Sequence, residues 1–214
     1  MATTLGVNGQ VTSLLDVHVL LCIHKSAHVF WPDIRLLSGC VAASDPFVDY
    51  YPKPFTFEIE PGSYQVELAI GHFGTDQRVA FARICFAPGQ AATWLMATTN
   101  GQDASTIGPT EVFGYGVDSG TGCFMSPEAG ELLDARMDKE PDYFENIIEA
   151  MEKTYRHTWS WADIRPEDNR NPNIIAFSSG FGDGFYASYI GLDREGKIIC
   201  LVTDFGTLND PTSD

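Results

Sequence analysis

The residues best suited to chemistry crowd into one glycine-rich run, Gly114-Tyr-Gly-Val-Asp-Ser-Gly-Thr-Gly-Cys-Phe124, which presents Asp118, Ser119, Thr121 and Cys123 close together. A second run, Ser178-Ser-Gly-Phe-Gly-Asp-Gly-Phe185, presents Asp183, and Asp204 follows at the end of a later apolar segment. If both runs turn at one end of a sheet, Asp118, Asp183 and Asp204 make a carboxylate cluster. Such a cluster holds a hard divalent cation or raises one carboxyl pKa enough for acid–base work. The architectural alternative is that the Asp and Ser side chains accept backbone N–H groups inside tight turns, with Gly120, Gly122, Gly180, Gly182 and Gly184 supplying unusual φ values. Ser119 and Cys123 are the candidate nucleophiles, and an activated thiol requires a neighbouring histidine or helix N-terminus.

Two catalytic signatures touch the first run. Asp-Ser-Gly-Thr is similar to the Asp-Thr/Ser-Gly element of aspartic proteases, whose chemistry needs two carboxylates sharing a proton, and the chain holds no second copy. The same turn is similar to the phosphate loops of actin-like and sugar-kinase ATPases, but β signals stand where alternating βαβ units should be. Neither His24 with His28 nor His157 falls in a ligand pattern with a second histidine on an evident helix. Cys22, Cys40, Cys85, Cys123 and Cys200 form no CxxC pair and read as reduced, mostly core residues. No cofactor is called for.

Positioning these residues falls to a chain rich in strand signals. Phe55 to Ile59, Tyr64 to Leu68, Val79 to Phe86 and Ala92 to Met96 read as an antiparallel meander, with Leu14 to Ile23 as a strand before it and 45–54 as an ordered loop. Ser126-Pro127 starts a helix, serine as N-cap and proline in the first turn. A second helix follows Pro141, with Phe144, Ile147, Ile148, Met151 and Tyr155 on one face, acids opposite, and Arg156 and His157 toward its C-terminal end. After a polar loop over 163–173 come strands Ile174 to Ser178, Phe185 to Gly191 and Lys197 to Thr203, joined by hairpin-type turns at 180–184 and 193–196. The fold class is therefore α+β, predominantly antiparallel sheet of meander or sandwich type, with a two-helix segment between N-terminal and C-terminal strands, in a single domain over 1–214.

Charge narrows the function. The 214 residues carry a formal charge of −16, and the acids concentrate in the second half: residues 101–214 hold 8 basic and 21 acidic side chains. An anionic surface repels phosphate backbones, so nucleic acid is not an expected partner, while a basic protein is. Val17 to Ile23 is interrupted by His18 and too short to span a bilayer. The expected location is cytoplasmic.

Read together, Tyr64-Gln-Val-Glu-Leu, Asp76-Gln-Arg-Val-Ala-Phe-Ala-Arg83, Trp94-Leu-Met-Ala97, Tyr115 to Phe124 and Asn173 to Tyr186 resemble the mainly bacterial family called domain of unknown function 4241 (DUF4241), over roughly 55–205. That resemblance implies a shared fold, no kinship with proteases or kinases, and an aspartate near position 126, where this chain has Ser126. The leading expectation is a non-catalytic acidic binding protein, of the kind that neutralises cationic toxins, with Glu145, Glu149 and Glu152 as rim and Trp159 and Trp161 as anchors. The alternatives are a hydrolase or divalent-metal enzyme built on Asp118 and Asp183, and a structural or scaffolding module.

Overall fold

The segment Ile174-Ile-Ala-Phe177 is apolar at every position because both of its faces are covered: Ile175 and Phe177 point into one core, Ile174 and Ala176 into another. Period-2 alternation puts successive side chains on opposite faces, so a continuous apolar run marks a strand in a middle layer. The computed structural model describes residues 28–168 and 171–207. The expected strand over 14–23, with Cys22 and His24, lies outside the described residues. Among the described residues there are eleven strands: β1 (His28–Leu36), β2 (Ala42–Ser44), β3 (Gly62–Phe73), β4 (Asp76–Cys85), β5 (Thr93–Met96), β6 (Tyr115–Val117), β7 (Thr121–Met125), β8 (Trp161–Ile164), β9 (Ile174–Ser178), β10 (Gly184–Leu192) and β11 (Ile198–Asp204). Helices α1 (Pro127–Lys139) and α2 (Tyr143–Glu152) lie between β7 and β8.

Three layers result. A large sheet runs β1-β3-β4-β11-β10-β5, with β6 also pairing β10, and a small sheet runs β2-β7-β9-β8. Every strand pairing is antiparallel. Between the sheets Val66, Leu68, Ile84 and Leu201 meet Phe124, Ile175 and Phe177. On the far side of the small sheet, Cys123, Met125, Ala162 and Ala176 receive Leu133 of α1 with Ile147 and Met151 of α2. The fold is thus α+β, mostly antiparallel sheet with two helices inserted between strands.

Local signals survive in detail. The Ser126 hydroxyl accepts from the Ala129 N–H at 3.3 Å and Pro127 occupies the first turn of α1. The β10–β11 hairpin closes on Asp193, whose carboxylate accepts from the N–H groups of Glu195 (3.0 Å) and Lys197 (2.8 Å).

Several sequence expectations are corrected. β4 hydrogen-bonds to β11 rather than β5, so the meander ends after β3–β4. Phe55 to Ile59 is no strand: it makes one bridge, Phe55 to Thr99, and its N–H groups divide between two segments, Phe55 and Ile59 donating to Val41 and Gly39 and Thr56 to Thr98. The polar loop shrinks because β8 extends through Ile164, and β1 carries no sequence expectation at all. α2 stops at Glu152, leaving Arg156 and His157 in a reversal where His157 takes φ +56°. The turn over 180–184 joins two different sheets and is no hairpin.

A helix-interior glycine usually costs about 1 kcal/mol against alanine. At Gly130 in α1 the sign reverses, because a Cβ there would sit 2.1 Å from the carbonyl oxygen of Tyr50. Gly130→Ala is expected to lower stability by more than about 1 kcal/mol, read as a lower urea midpoint in chemical denaturation.

Candidate functional site

The chain passes between the two sheets four times, and two of these crossings lie side by side. β6 of the large sheet becomes β7 of the small sheet through Asp118-Ser-Gly120, and β9 of the small sheet becomes β10 of the large one through Ser179 to Asp183. The crossings touch: the Ser179 N–H donates to the Gly120 carbonyl at 3.0 Å. Gly120 (φ +68°) and Gly180 (φ +53°) adopt the left-handed region that side chains resist. Gly122 and Gly184 do not, so their expected role as φ suppliers is corrected; at Gly122 a Cβ would instead crowd Tyr115 and Phe177.

One buried carboxylate organises the β6–β7 crossing. Asp45, 1% exposed and directly after β2, accepts through Oδ2 from the N–H groups of Asp118 (3.0 Å) and Ser119 (2.8 Å). Its Oδ1 accepts from the Ser119 hydroxyl (2.8 Å) and from the Phe47 N–H (2.9 Å). Four donors stabilise a charge that isolation from water would otherwise make very costly. With its lone pairs engaged, Asp45 serves as a clamp rather than a base. The sequence implies only an ordered loop over 45–54, and nothing in its Asp-Pro-Phe composition signals that the acid faces a turn more than seventy positions away.

The other candidates sort by burial. Asp118, Ser119 and Asp183 are exposed on the adjacent turns. Asp204 is half-buried, and its carboxylate accepts from the Gly206 N–H at 2.8 Å, a turn role. Among the described residues no group of three or more His, Cys, Asp or Glu side chains is arranged to hold a metal ion. Cys123 is fully buried, 3.5 Å from the Ser44 hydroxyl, and burial pushes its thiol up to about 12, the opposite of nucleophile activation. Trp159, 2% exposed, is part of the core between the sheets, and Trp161 is a partly buried side chain packed against that core.

A groove opens beside the Asp118 turn. About 300 Å³ in volume, it is lined mainly by Phe47, Phe144, Ile148, Met151, Glu152 and Tyr155, and it reaches Ser119 and Thr121 of the turn. The apolar face of α2 is wider than its core requires. Ile147 and Met151 are buried, while Phe144 (37% exposed) and Ile148 (39%) remain accessible, as does Tyr155 (60%) beyond the helix end. Phe47 meets Phe144 edge-on at 4.8 Å, so the clamp that orders the turn also fixes one wall of the groove. Glu145, Glu149 and Glu152 are all exposed, and Glu152 alone of the three lines the groove; Glu149 pairs with Lys153 at 3.0 Å on the open surface.

The family described as "Protein of unknown function (DUF4241)" matches residues 34–203. The chain belongs to that family. Neither the curated proteins nor the solved structures contain a match to it. The family match begins before the expected limit of 55, taking in β2 and Asp45, so the clamp and both crossings lie inside the family region. Ser126, where the resemblance implies aspartate, is the N-cap of α1, and either side chain can accept from the first-turn amides. That position is a cap, not a third acid of a site.

Asp45→Ala removes the acceptor of four bonds and leaves amides of the crossing unpaired. It is expected to cost about 3 kcal/mol or more, measured by denaturant unfolding. Cys123 is expected to resist iodoacetamide in the folded protein and to react once the chain is unfolded, as mapped by mass spectrometry of the alkylated peptides.

Proposed function

We propose that this DUF4241 protein is a non-catalytic binding protein, and that the α2 groove docks a basic amphipathic segment of a protein partner. The single observation that carries the reading is the accessible pair Phe144 and Ile148 on α2, continued past the helix end by Tyr155, in a segment whose acids Asp142, Glu145, Glu149 and Glu152 outnumber its one base, Lys153. Exposed aromatic and aliphatic side chains in a concave, partly desolvated setting are the groups that dominate binding energy. The surrounding acids select a cationic occupant and speed its approach, as does the negative charge of the C-terminal half. The raised pKa of Cys123 and the commitment of Asp45 to structural bonds favour this over a hydrolase at the glycine turns. No helix among the described residues is long and apolar enough to cross a membrane. A location in the cytoplasm fits the free thiols among the described cysteines.

A labelled amphipathic Lys/Leu helical peptide and its Glu/Leu counterpart test the idea by fluorescence anisotropy. The Lys/Leu peptide is expected to bind and to weaken steeply with added salt. Phe144→Ser with Ile148→Ser, or Glu145→Lys with Glu152→Lys, is expected to weaken it about tenfold or more. Equal binding of the acidic peptide, or indifference to both pairs of substitutions, overturns the proposal.

A further inference from the structure

The outer face of the large sheet, opposite the inter-sheet core, carries a hollow of about 670 Å³. Its origin lies in one cross-strand row. The register sets Gln65, Cys85, Cys200, Gly191 and Trp94 side by side across β3, β4, β11, β10 and β5. Two small residues of that row, Cys85 and Cys200, line the hollow between Gln65 and Trp94, while the space over Gly191 is filled by Cys200 Sγ, Ala91 and the Trp94 ring. In the next row, Arg83 donates its Nε–H to Glu67 Oε2 at 2.9 Å.

Cys85 and Cys200 are direct partners on antiparallel strands. The Phe86 N–H donates to the Ile199 carbonyl at 2.8 Å, which makes the adjacent pair hydrogen-bonded and the cysteine pair non-hydrogen-bonded. Opposed Cα atoms in such a pair lie about 4.5 Å apart, with side chains on the same face. A disulfide bridges Cα separations of roughly 4.4–6.8 Å. Both cysteines are free thiols, both line the hollow, and Cys85 is the more exposed.

We propose that Cys85 and Cys200 are a redox-active dithiol that closes to a cross-strand disulfide by exchange with a small disulfide of the glutathione class admitted to the hollow. The Cys85 thiolate attacks one sulfur of the oxidant, and a glutathione thiolate leaves and takes up the proton Cys85 released. The Cys200 thiolate then attacks Cys85 Sγ and expels the second glutathione. Two protein thiols are oxidised and one disulfide is reduced to two thiols. Burial pushes Cys85 up to about 12 and Cys200 up to about 11, with the Arg83 guanidinium opposing it in both cases, so the exchange is slow and needs sustained oxidant. The bond ties β4 to β11 in the middle of the large sheet. This inference does not rest on the α2 groove.

The test incubates the reduced, folded, full-length protein with oxidised glutathione at pH 8, with circular dichroism on the same sample and a non-reducing digest read by mass spectrometry. Expected is a mass lower by two hydrogens and a linked peptide pair holding Cys85 and Cys200, while fully buried Cys123 stays a thiol. Cys200→Ser is expected to halt at a glutathione adduct on Cys85, and Cys85→Ser to leave Cys200 unmodified. The linkage map of the unsubstituted protein decides even if a variant fails to fold. An adduct on Cys85 that never closes, a link to any other cysteine, or no exchange in the folded protein overturns the proposal.

Discussion

A buried carboxylate is the constraint on which this architecture turns. Two sheets pack face to face, and the chain must leave one and enter the other between β6 and β7 and again between β9 and β10. Each crossing interrupts the strand ladder and strands backbone amides at the seam, where unpaired donors are costly. Asp45 accepts from those of Asp118 and Ser119, and the Ser179 amide is taken up by Gly120. The glycines supply the backbone angles and the acid supplies the acceptors; neither suffices alone.

That arrangement reassigns the most chemical-looking segment of the chain. A strand–Asp–Ser–Gly–Thr turn has the composition of a catalytic loop because catalytic loops and sheet crossings share a need for tight, hydrogen-bonded backbone. Here the geometry spends the segment on continuity between layers. The Ser119 hydroxyl points to a carboxylate already saturated with donors, and the one thiol beside the turn is sealed behind Ser44 in the helix-facing core. Recognition then falls to what the seam leaves outside, an apolar strip on α2 that its core does not use.

The two outer faces divide the remaining chemistry. On the helix side, Phe47 is held by Asp45 and leans on Phe144, so the groove inherits its shape from the clamp. On the sheet side, a hollow is lined by two thiols in register on β4 and β11 and by an ion pair in the next row. The ion pair is partly buried, with Glu67 the more enclosed member, which keeps it structurally fixed rather than freely solvated.

Much of this was legible in the sequence because it is local. The Ser126-Pro127 cap, the helix after Pro141, the apolar run Ile174 to Phe177 of β9 and the β10–β11 hairpin each depend on neighbours within a few positions, where propensity, capping and period act directly. Strand order was not legible, since β4 has the same alternation whether β5 or β11 lies beside it, and pairing is decided by what buries both faces. The wide apolar face of α2 read as core from periodicity alone; only the position of the small sheet separates Ile147 and Met151, which it covers, from Phe144 and Ile148, which it does not. Asp45 and the Cys85–Cys200 pair carry no signal along the chain, because each acquires its role from a residue far away in sequence. Sequence alone determined the two helices, β9 and the β10–β11 turn, but not β1, β2 or β8. Tertiary packing decided which of their side chains meet, because burial and hydrogen-bond satisfaction are properties of layers, not of segments.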